Sequence, residues 1–410
     1  MKKASFVSRE VDMSGPRVLI SGGGTAGPAL AHMLRTYGFR PTIVERAPEV
    51  RAGGHVIQID GVGIDALRRI GVLDEARRTG GPTPDEIHLD YGGRRLVLPN
   101  GAPRLSDETG LLIRRGDLAE LLYRHVRDDV EYLFDDAVSG LRETEEGIVV
   151  DFENRSSRDF DLVVGADGVH SGVRSLVFGP EERFLHYKGT NIALFEIENH
   201  LGPVRHMIGR ARARRGTLLQ PIPDTDLLEC FLLTRDPEPL TDVESHRALL
   251  RKRFERDGEE TRRLLEAMEY ARTTYTTPSA QIRMDSWSLG RTVLLGDAGH
   301  ALEPMTTQGG SLALTGACVL GGELAKARGD HRVAFPAYER AMRGLVDADI
   351  LTSQANGEIF VPSSGAIGTY VRSWLLDGAS RLGQRMRPSA EQRKAYNLPL
   401  DEHLPAGAGA

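Results

Sequence analysis

Cysteine is nearly absent from this 410-residue chain: Cys230 and Cys318 are the only two, 88 positions apart. That spacing excludes a disulfide framework, a zinc knuckle and a redox CxxC pair, and it fits a reducing, cytoplasmic setting. A basic excess is also missing. Lys plus Arg number 52 against 58 Asp plus Glu, a formal charge of −6, so nothing draws the chain to nucleic-acid phosphates or anionic lipid. Long apolar runs are few. Val18 to Leu34 and Pro304 to Gly322 carry no charged residue, but both are studded with glycine and polar side chains and read as buried soluble segments, not membrane spans. MKKASFVSREVD opens basic, yet Arg9 and Glu10 interrupt any apolar core, which excludes a signal peptide. His, Asp and Glu show no metal-ligand spacing, so no metal is expected.

Glycine is what the chain has in excess, 46 residues or about 11% against an average near 7%. Close backbone approach to something is implied. RVLIS (17–21) reads as a short buried strand, GGGTAG as a turn, PALAHMLRTYG as an apolar helix closed by Gly38, and PTIVE (41–45) as a second strand. Together they make one βαβ unit. Helical periodicity follows in IDALRRIGVLDEARRTG, alternation from Pro84 to Leu98, a helix from Gly116 to Val126, and strands in VEYLF, GIVVDF and DLVVG. NIALFEI, RHMIG, TLLQPI and LLECFLLT make 184–235 strand-like throughout, 242–270 is helical, and the βαβ character returns at TVLLG (292–296).

Gly22, Gly24 and Gly27 spell GxGxxG, a weak string at this glycine content. Its setting strengthens it: a strand precedes, a helix follows, and Glu45 ends the next strand 18 residues past Gly27, where a carboxylate can accept the hydroxyls of an adenosine ribose. Gly22 allows the tight turn, Gly24 lets backbone reach a pyrophosphate, and the helix N-terminus supplies donors and dipole. Gly61, Gly63 and Ala66 spell a second such string, but no acid-ended strand follows and Asp65 would face the phosphate, so it reads as a helix start. In the third glycine-rich stretch Pro304 stiffens a loop, Gln308, Gly309 and Gly310 allow close approach, and a helix opens with unsatisfied N–H groups.

DLVVGADGVHSGVR (161–174) and TVLLGDAGHALEPMTTQGGSLAL (292–314), in this order after the GxGxxG, resemble the single-component FAD-dependent aromatic hydroxylases, the group A flavoprotein monooxygenases of the para-hydroxybenzoate hydroxylase fold, with their tetracycline-modifying and polyketide-tailoring members. The resemblance spans roughly residues 15–345. It implies that Asp167 and Gly168 serve the FAD pyrophosphate and a passing nicotinamide cofactor, that Gly296 and Asp297 hold the ribityl chain, and that Arg115 lies near the phosphates and ribityl oxygens, with Arg46 near the adenosine. Thr307 and Ser311 depart from the family's GQGxN, which puts the shape over the flavin ring in question. The implied reaction uses NADH or NADPH as a transient cosubstrate to reduce noncovalent FAD, with O₂ taken up as a flavin C4a-hydroperoxide that hydroxylates an aromatic or polyketide-like small molecule. An FAD-dependent dehydrogenase, a non-redox cyclase and a flavin-binding redox sensor remain alternatives on the same cofactor. A WxWxIP string is missing, which speaks against a flavin halogenase, and no second convincing dinucleotide fingerprint is present for a separate NAD(P)H domain.

The expected fold is α/β: a Rossmann-like FAD domain (14–83, 109–180 and 283–310), an inserted, mostly antiparallel substrate sheet (84–108 and 181–282), C-terminal helices (311–400), and a disordered leader (1–13) and tail (401–410). The inserted sheet should roof the flavin, because the reaction needs a water-poor cavity. Alternation puts Ile192, Leu194 and Glu196 on one face and Asn191, Ala193, Phe195 and Ile197 on the other, without indicating which faces inward. Phe195, Met207, Gln220 and Phe231 are candidate pocket residues, with core packing the competing role for each. Pro304 and Thr306 are candidates near the flavin edge. His170 and His300 read as structural, and Arg205, Arg210, Arg212, Arg214 and Arg215 as a solvated hairpin rather than a phosphate site. A monomer or homodimer is expected.

Overall fold

The apolar run RVLIS becomes a central strand, as a segment buried on both faces must. The computed structural model describes residues 15–100, 109–240, 242–271, 273–381 and 398–405. β1 (Arg17–Ser21), α1 (Ala26–Thr36) and β2 (Arg40–Glu45) form the opening βαβ unit. β3 (Val56–Ile59), α2 (Val62–Ile70), α3 (Leu73–Thr79), β4 (Gly81–Pro82) and the hairpin of β5 (Glu86–Tyr91) and β6 (Arg94–Pro99) follow. β7 (Leu111–Arg114) leads into α4 (Arg115–Val126), β8 (Glu131–Phe134), β9 (Val138–Glu143), β10 (Ile148–Phe152), β11 (Arg158–Phe160), β12 (Leu162–Gly165) and α5 (Gly172–Phe178). The middle block comprises β13 (Leu185–Glu198), β14 (Met207–Arg212), β15 (Arg215–Pro221), β16 (Leu227–Arg235), α6 (Val243–Phe254), α7 (Glu259–Tyr270) and β17 (Thr274–Ile282). β18 (Ser288–Leu289), β19 (Thr292–Leu294), α8 (Asp297–His300), α9 (Gly309–Lys326), α10 (His331–Phe360) and α11 (Ala366–Arg381) complete the order.

Strands from three separated stretches assemble one six-stranded sheet, β18-β19-β12-β1-β2-β8. β1 lies parallel between β2 and β12, with Leu19 level with Thr42 and Val163. Val18, Leu19 and Ile20 are fully buried there. α9 packs so closely on α1 that a Cβ on Gly321 would come within 2.7 Å of the Met33 side chain. α2 meets α9 in the same way, since a Cβ on Gly63 would lie 2.8 Å from Ser311. The second GxGxxA string is thus a helix start whose glycine serves helix contact. The expected boundary at 310/311 cuts the first turn of α9, and residues 311–324 are buried throughout; α9 is an inner helix of the nucleotide layer, and this corrects the boundary.

The middle strands join the β5–β6 hairpin in one seven-stranded sheet, β17-β13-β16-β15-β14-β5-β6. One face carries Ile192, Leu194, Met207, Leu218 and Leu233 against Phe360 and Val361 at the end of α10. The opposite face carries Ala193, Phe195, Ile197 and Cys230 against Leu250 and Phe254 of α6 and Leu264 and Met268 of α7. The first face is the inner one: on it Glu196 is paired with Arg114, and Glu229 Oε1 accepts the Val56 N–H at 2.9 Å. Phe195 therefore points away from the nucleotide layer, which corrects its expected place in a pocket; the strand period of two commits it once Glu196 faces Arg114. Of the hairpin arginines, Arg212 is paired with Asp90 of β5 at 2.7 Å and Arg215 with Asp257 between α6 and α7, so their charge is spent within the protein.

The tail is ordered in its first residues, contrary to expectation. Leu400–His403 forms a 3-10 turn, Leu404 is buried, and Lys326 Nζ donates to the Glu402 carbonyl at 2.5 Å. An apolar residue at each end of the polar DEH run anchors it. Residues 406–410 and the leader 1–13 lie outside the described residues.

Candidate functional site

Two of the three glycines of the first motif, Gly22 and Gly27, have a steric reason of their own. Gly22 has φ +114°, donates its N–H to Val44 O at 2.8 Å, and would drive a Cβ to 2.3 Å from the Ala166 carbonyl. A Cβ on Gly27 would meet Gly22 O at 1.9 Å, so α1 can begin this close to the turn only with glycine there. Gly24 is different. Nothing lies within 4 Å of its Cβ position, which leaves open space over the turn. Glu45 closes the end of β2 with its carboxylate fixed at both oxygens, Oε2 accepting Gly23 N–H at 2.7 Å and Oε1 accepting Ala47 N–H at 2.8 Å. Arg46 is exposed beside it.

Asp167 sits just past β12, beyond which the chain turns at Gly168 with φ +83°. Its Oδ1 accepts the Ser171 hydroxyl at 2.5 Å and its Oδ2 accepts Val173 N–H at 3.1 Å. These bonds hold its carboxylate at the start of α5, beside the end of β1. Arg174, which sequence reading passed over, is fully buried. Its guanidinium donates to Val169 O at 2.7 Å, to Glu181 Oε2 at 2.8 Å and to Ala298 O at 3.0 Å. The second and third motifs are thereby fastened to one another. His170 is exposed and paired with Glu181 at 3.0 Å, a surface contact.

Gly296, with φ +62°, turns the chain from β19 into α8. Asp297 follows, with no hydrogen-bond partner among the described residues; burial pushes its carboxyl up, and the Arg115 cation nearby draws it back down. A Cβ on Gly309 would lie 3.8 Å from Asp297 Oδ1, so the carboxylate borders the first turn of α9. Arg115 is held through its backbone, whose N–H donates to His55 O at 2.9 Å, leaving its side chain exposed at the head of α4. His300 is buried under Trp287, with ring centroids 4.6 Å apart and Nε2 3.3 Å from Tyr338 OH. Burial pushes it down to about 4, a neutral structural histidine at physiological pH.

The loop before α9 is built to expose that helix's N-terminus. Pro304 opens a 3-10 turn, and Thr307 takes a left-handed φ of +60°. Thr306 is buried and its hydroxyl accepts Gln308 N–H at 3.2 Å, so it stiffens the loop. No side chain caps α9. Ser311, standing where the family has Asn, is buried and accepts Asp60 N–H at 3.1 Å, pinning the helix start to the end of β3. The Gln308 amide Nε2 is buried without a partner, and a buried donor left unpaired costs about 1–3 kcal/mol.

These features fit an extended dinucleotide carrying a flavin. Open space over Gly24 suits a pyrophosphate, Glu45 suits a ribose, and Asp297 and the Gln308 amide find no hydrogen-bond partner among the described residues. Above them, Met207, Gln220 and Phe231 lie on the inner face of the seven-stranded sheet: Gln220 is level with Glu229, and Phe231 with Leu194 and Leu218. Glu229, also on this face, is an ionisable group that the sequence did not single out. Burial, with Glu196 beside it, pushes its carboxyl up to about 8, and its Oε2 has no partner.

A family profile described as "FAD binding domain" matches residues 16–334. An uncharacterised protein of Mycobacterium tuberculosis is 38% identical over 345 residues, covering 80% of this chain and 90% of that protein. A flavin-dependent monooxygenase from an unknown prokaryotic organism is 32% identical over 341 residues, covering 81% and 87%. The crystal structure of tetracycline destructase Tet(55) superposes with a TM-score of 0.75 at 27% identity, covering 94% of this chain and 97% of the other.

Proposed function

The chain belongs to the FAD-binding-domain family of flavin-dependent monooxygenases of the para-hydroxybenzoate hydroxylase type, and from that premise we propose that it spends NAD(P)H and O₂ to hydroxylate an aromatic or polyketide-like small molecule. FAD is its cofactor. The Gly22–Gly27 turn and the start of α1 would hold the pyrophosphate, Glu45 the adenosine ribose, and Asp297 and Arg115 the ribityl and phosphate segment. The α9 N-terminus would face the pyrimidine edge of the flavin, with the Gln308 amide as a donor. FAD, when bound, supplies the two-electron chemistry that passes reducing equivalents from a nicotinamide cofactor to O₂, one oxygen going to substrate and one to water.

The chain's own residues supply position, dryness and charge. An uncapped helix N-terminus favours negative charge at the flavin edge next to it. The apolar inner face of the sheet, with Phe231 and Met207, excludes water from the reacting centre, and Gln220 offers a polar contact for a phenol or enol oxygen. The observation that carries this reading is the pair beside the first turn of α9, the Asp297 carboxylate and the buried Gln308 amide, neither with a hydrogen-bond partner among the described residues. We assign the enzyme to the cytoplasm, where NAD(P)H is regenerated; both cysteines are free and buried, and among the described residues no helix is long and apolar enough to cross a membrane.

The test is direct. Purified protein should release FAD on denaturation, about one per chain, and should oxidise NADPH or NADH with matching O₂ uptake when a suitable phenol or enol is added. FAD with no NAD(P)H-dependent O₂ uptake across a broad panel of phenols and enols would favour a dehydrogenase or cyclase instead.

A further inference from the structure

Exposed apolar side chains on this molecule are concentrated on one helix. Ile367, Tyr370, Val371, Trp374 and Leu375 of α11 are 83%, 52%, 52%, 54% and 70% exposed. The same helix turns its small polar residues inward, Thr369 and Ser373 being buried against the sheet. A helix whose apolar stripe faces outward is reversed relative to the usual surface helix and marks an interaction face.

The stripe is matched to itself. Ile367, Val371 and Leu375 are spaced four apart, an i±4 ridge centred on Val371, and such ridges interdigitate when two helices cross at about −50°. A twofold axis through Val371 sets Ile367 of one copy against Leu375 of the other and Val371 against Val371, the reciprocal pattern an isologous interface requires. Tyr370 and Trp374 flank the ridge, ring centroids 6.4 Å apart and edge to face. With about 150–250 Å² available from each aromatic, the five side chains expose roughly 500 Å² per copy, so a symmetric pair buries on the order of 1,000 Å², the lower bound for a specific interface.

Charge argues against an anionic bilayer as the occupant. The chain carries −6, and the arginines beside the stripe are engaged: Arg94 is stacked 3.2 Å over the Trp374 ring and Arg372 is paired with Glu358 at 3.1 Å. An interfacial helix on anionic lipid needs a free cationic row. We propose that the outer face of α11 is the docking surface for α11 of a second copy, crossing antiparallel about Val371.

The experiment uses the full-length, FAD-loaded protein. Sedimentation velocity from about 1 to 50 µM should give twice the 44.9 kDa chain mass, and Val371→Asp should raise the dimer dissociation constant at least about a hundredfold with FAD content and melting temperature unchanged. Because that variant could disturb folding, Val371→Cys provides a second readout. Cys230 and Cys318 are buried, so mild oxidation should join two copies through position 371 into a covalent dimer, while the same change at exposed Val333 on α10 should not. A wild-type monomer over the whole range overturns the proposal, whether residues 382–397 or added anionic vesicles turn out to occupy the stripe. So does a dimer that survives Val371→Asp and fails to cross-link through position 371.

Discussion

Arg174 donates from Nη1 to the carbonyl of Ala298 at 3.0 Å, across 124 residues of sequence. Each element it joins has a carboxylate at or just ahead of its start, Asp167 ahead of α5 and Asp297 at the head of α8, the two acids we propose to serve the cofactor. The spacing of these two acids is thus set by one buried guanidinium whose other bonds go to Val169 O and Glu181.

Replacing Arg174 should therefore affect folding and cofactor together. Arg174→Ala leaves carbonyls and Glu181 without their donors, and about 3 kcal/mol of stability should be lost. Arg174→Lys should not restore it, because one ammonium cannot span the fork of acceptors. Chemical unfolding with FAD occupancy measured alongside checks this; a stable variant with full FAD would contradict the role.

Gly24 and Gly27 should separate cofactor binding from folding. Gly24→Ala places a methyl in open space, so apo-protein melting should hardly move while FAD affinity drops tenfold or more. Gly27→Ala pushes a Cβ to 1.9 Å from Gly22 O, and the fold itself should suffer. Equal effects of the two on melting would show that the space over Gly24 is not the pyrophosphate site.

Asp297→Ala should weaken FAD by about 1.5–3 kcal/mol, the range of a charge-assisted hydrogen bond, with Asp297→Asn recovering part of it. Equilibrium dialysis of the apo-proteins against FAD gives the numbers. Unchanged affinity would place the ribityl chain elsewhere.

The site was legible where its signal is local. GxGxxG, the acid ending β2 and the two Asp motifs are contiguous strings, and turns and helix starts follow from glycine and proline chemistry within a few residues. What stayed hidden depends on tertiary partners. Arg174 looks like any helix residue until Ala298 is brought beside it, and Glu229 reads as a solvent-facing acid in LLECFLLT until β3 covers it. Alternation sorts the residues of β13 into two faces, but it takes Glu196 against Arg114 and Glu229 against the Val56 N–H to show which face is inner, and that gives Phe195 the core-packing role instead of a place in the pocket. The run after Leu400 looks like a disordered tail because the partners that order it, Lys326 and Glu323, are more than 70 residues away.

Glu229 should leave a mark on the pH dependence of stability. Its carboxyl is raised from an ordinary 4.5 to about 8 by burial, with Glu196 adding to the rise and the Val56 N–H and Arg114 opposing it. The folded chain therefore holds this proton where the unfolded chain releases it, so stability falls as pH climbs from about 4.5 to about 8 and levels off above. The slope from this group should be at most about 1.4 kcal/mol per pH unit. Glu229→Gln should remove that decline, seen by comparing unfolding curves of the two proteins from pH 5 to 9; parallel pH profiles would mean the group is ionised when folded.

Phe195 and Phe231, on opposite faces of the seven-stranded sheet, should behave oppositely. Phe195→Ala empties the core under α6 and α7 and should cost about 3–5 kcal/mol, with little change in substrate selectivity for the protein that folds. Phe231→Ala should change KM or uncouple NAD(P)H oxidation from product while costing less stability. Steady-state kinetics with peroxide detection, beside thermal melts, distinguishes them; a reversed pattern would invert the assignment of the faces.

The central claim is that this chain uses FAD to place one atom of O₂ on an organic substrate, and isotope incorporation tests it most directly. With holoenzyme, NADPH or NADH, a turned-over phenol or enol, and ¹⁸O₂, the product should gain a single ¹⁸O with one NAD(P)H and one O₂ consumed per product. A product that forms without O₂, or that takes its oxygen from water, would contradict the account and leave FAD in a dehydrogenase or a cyclase.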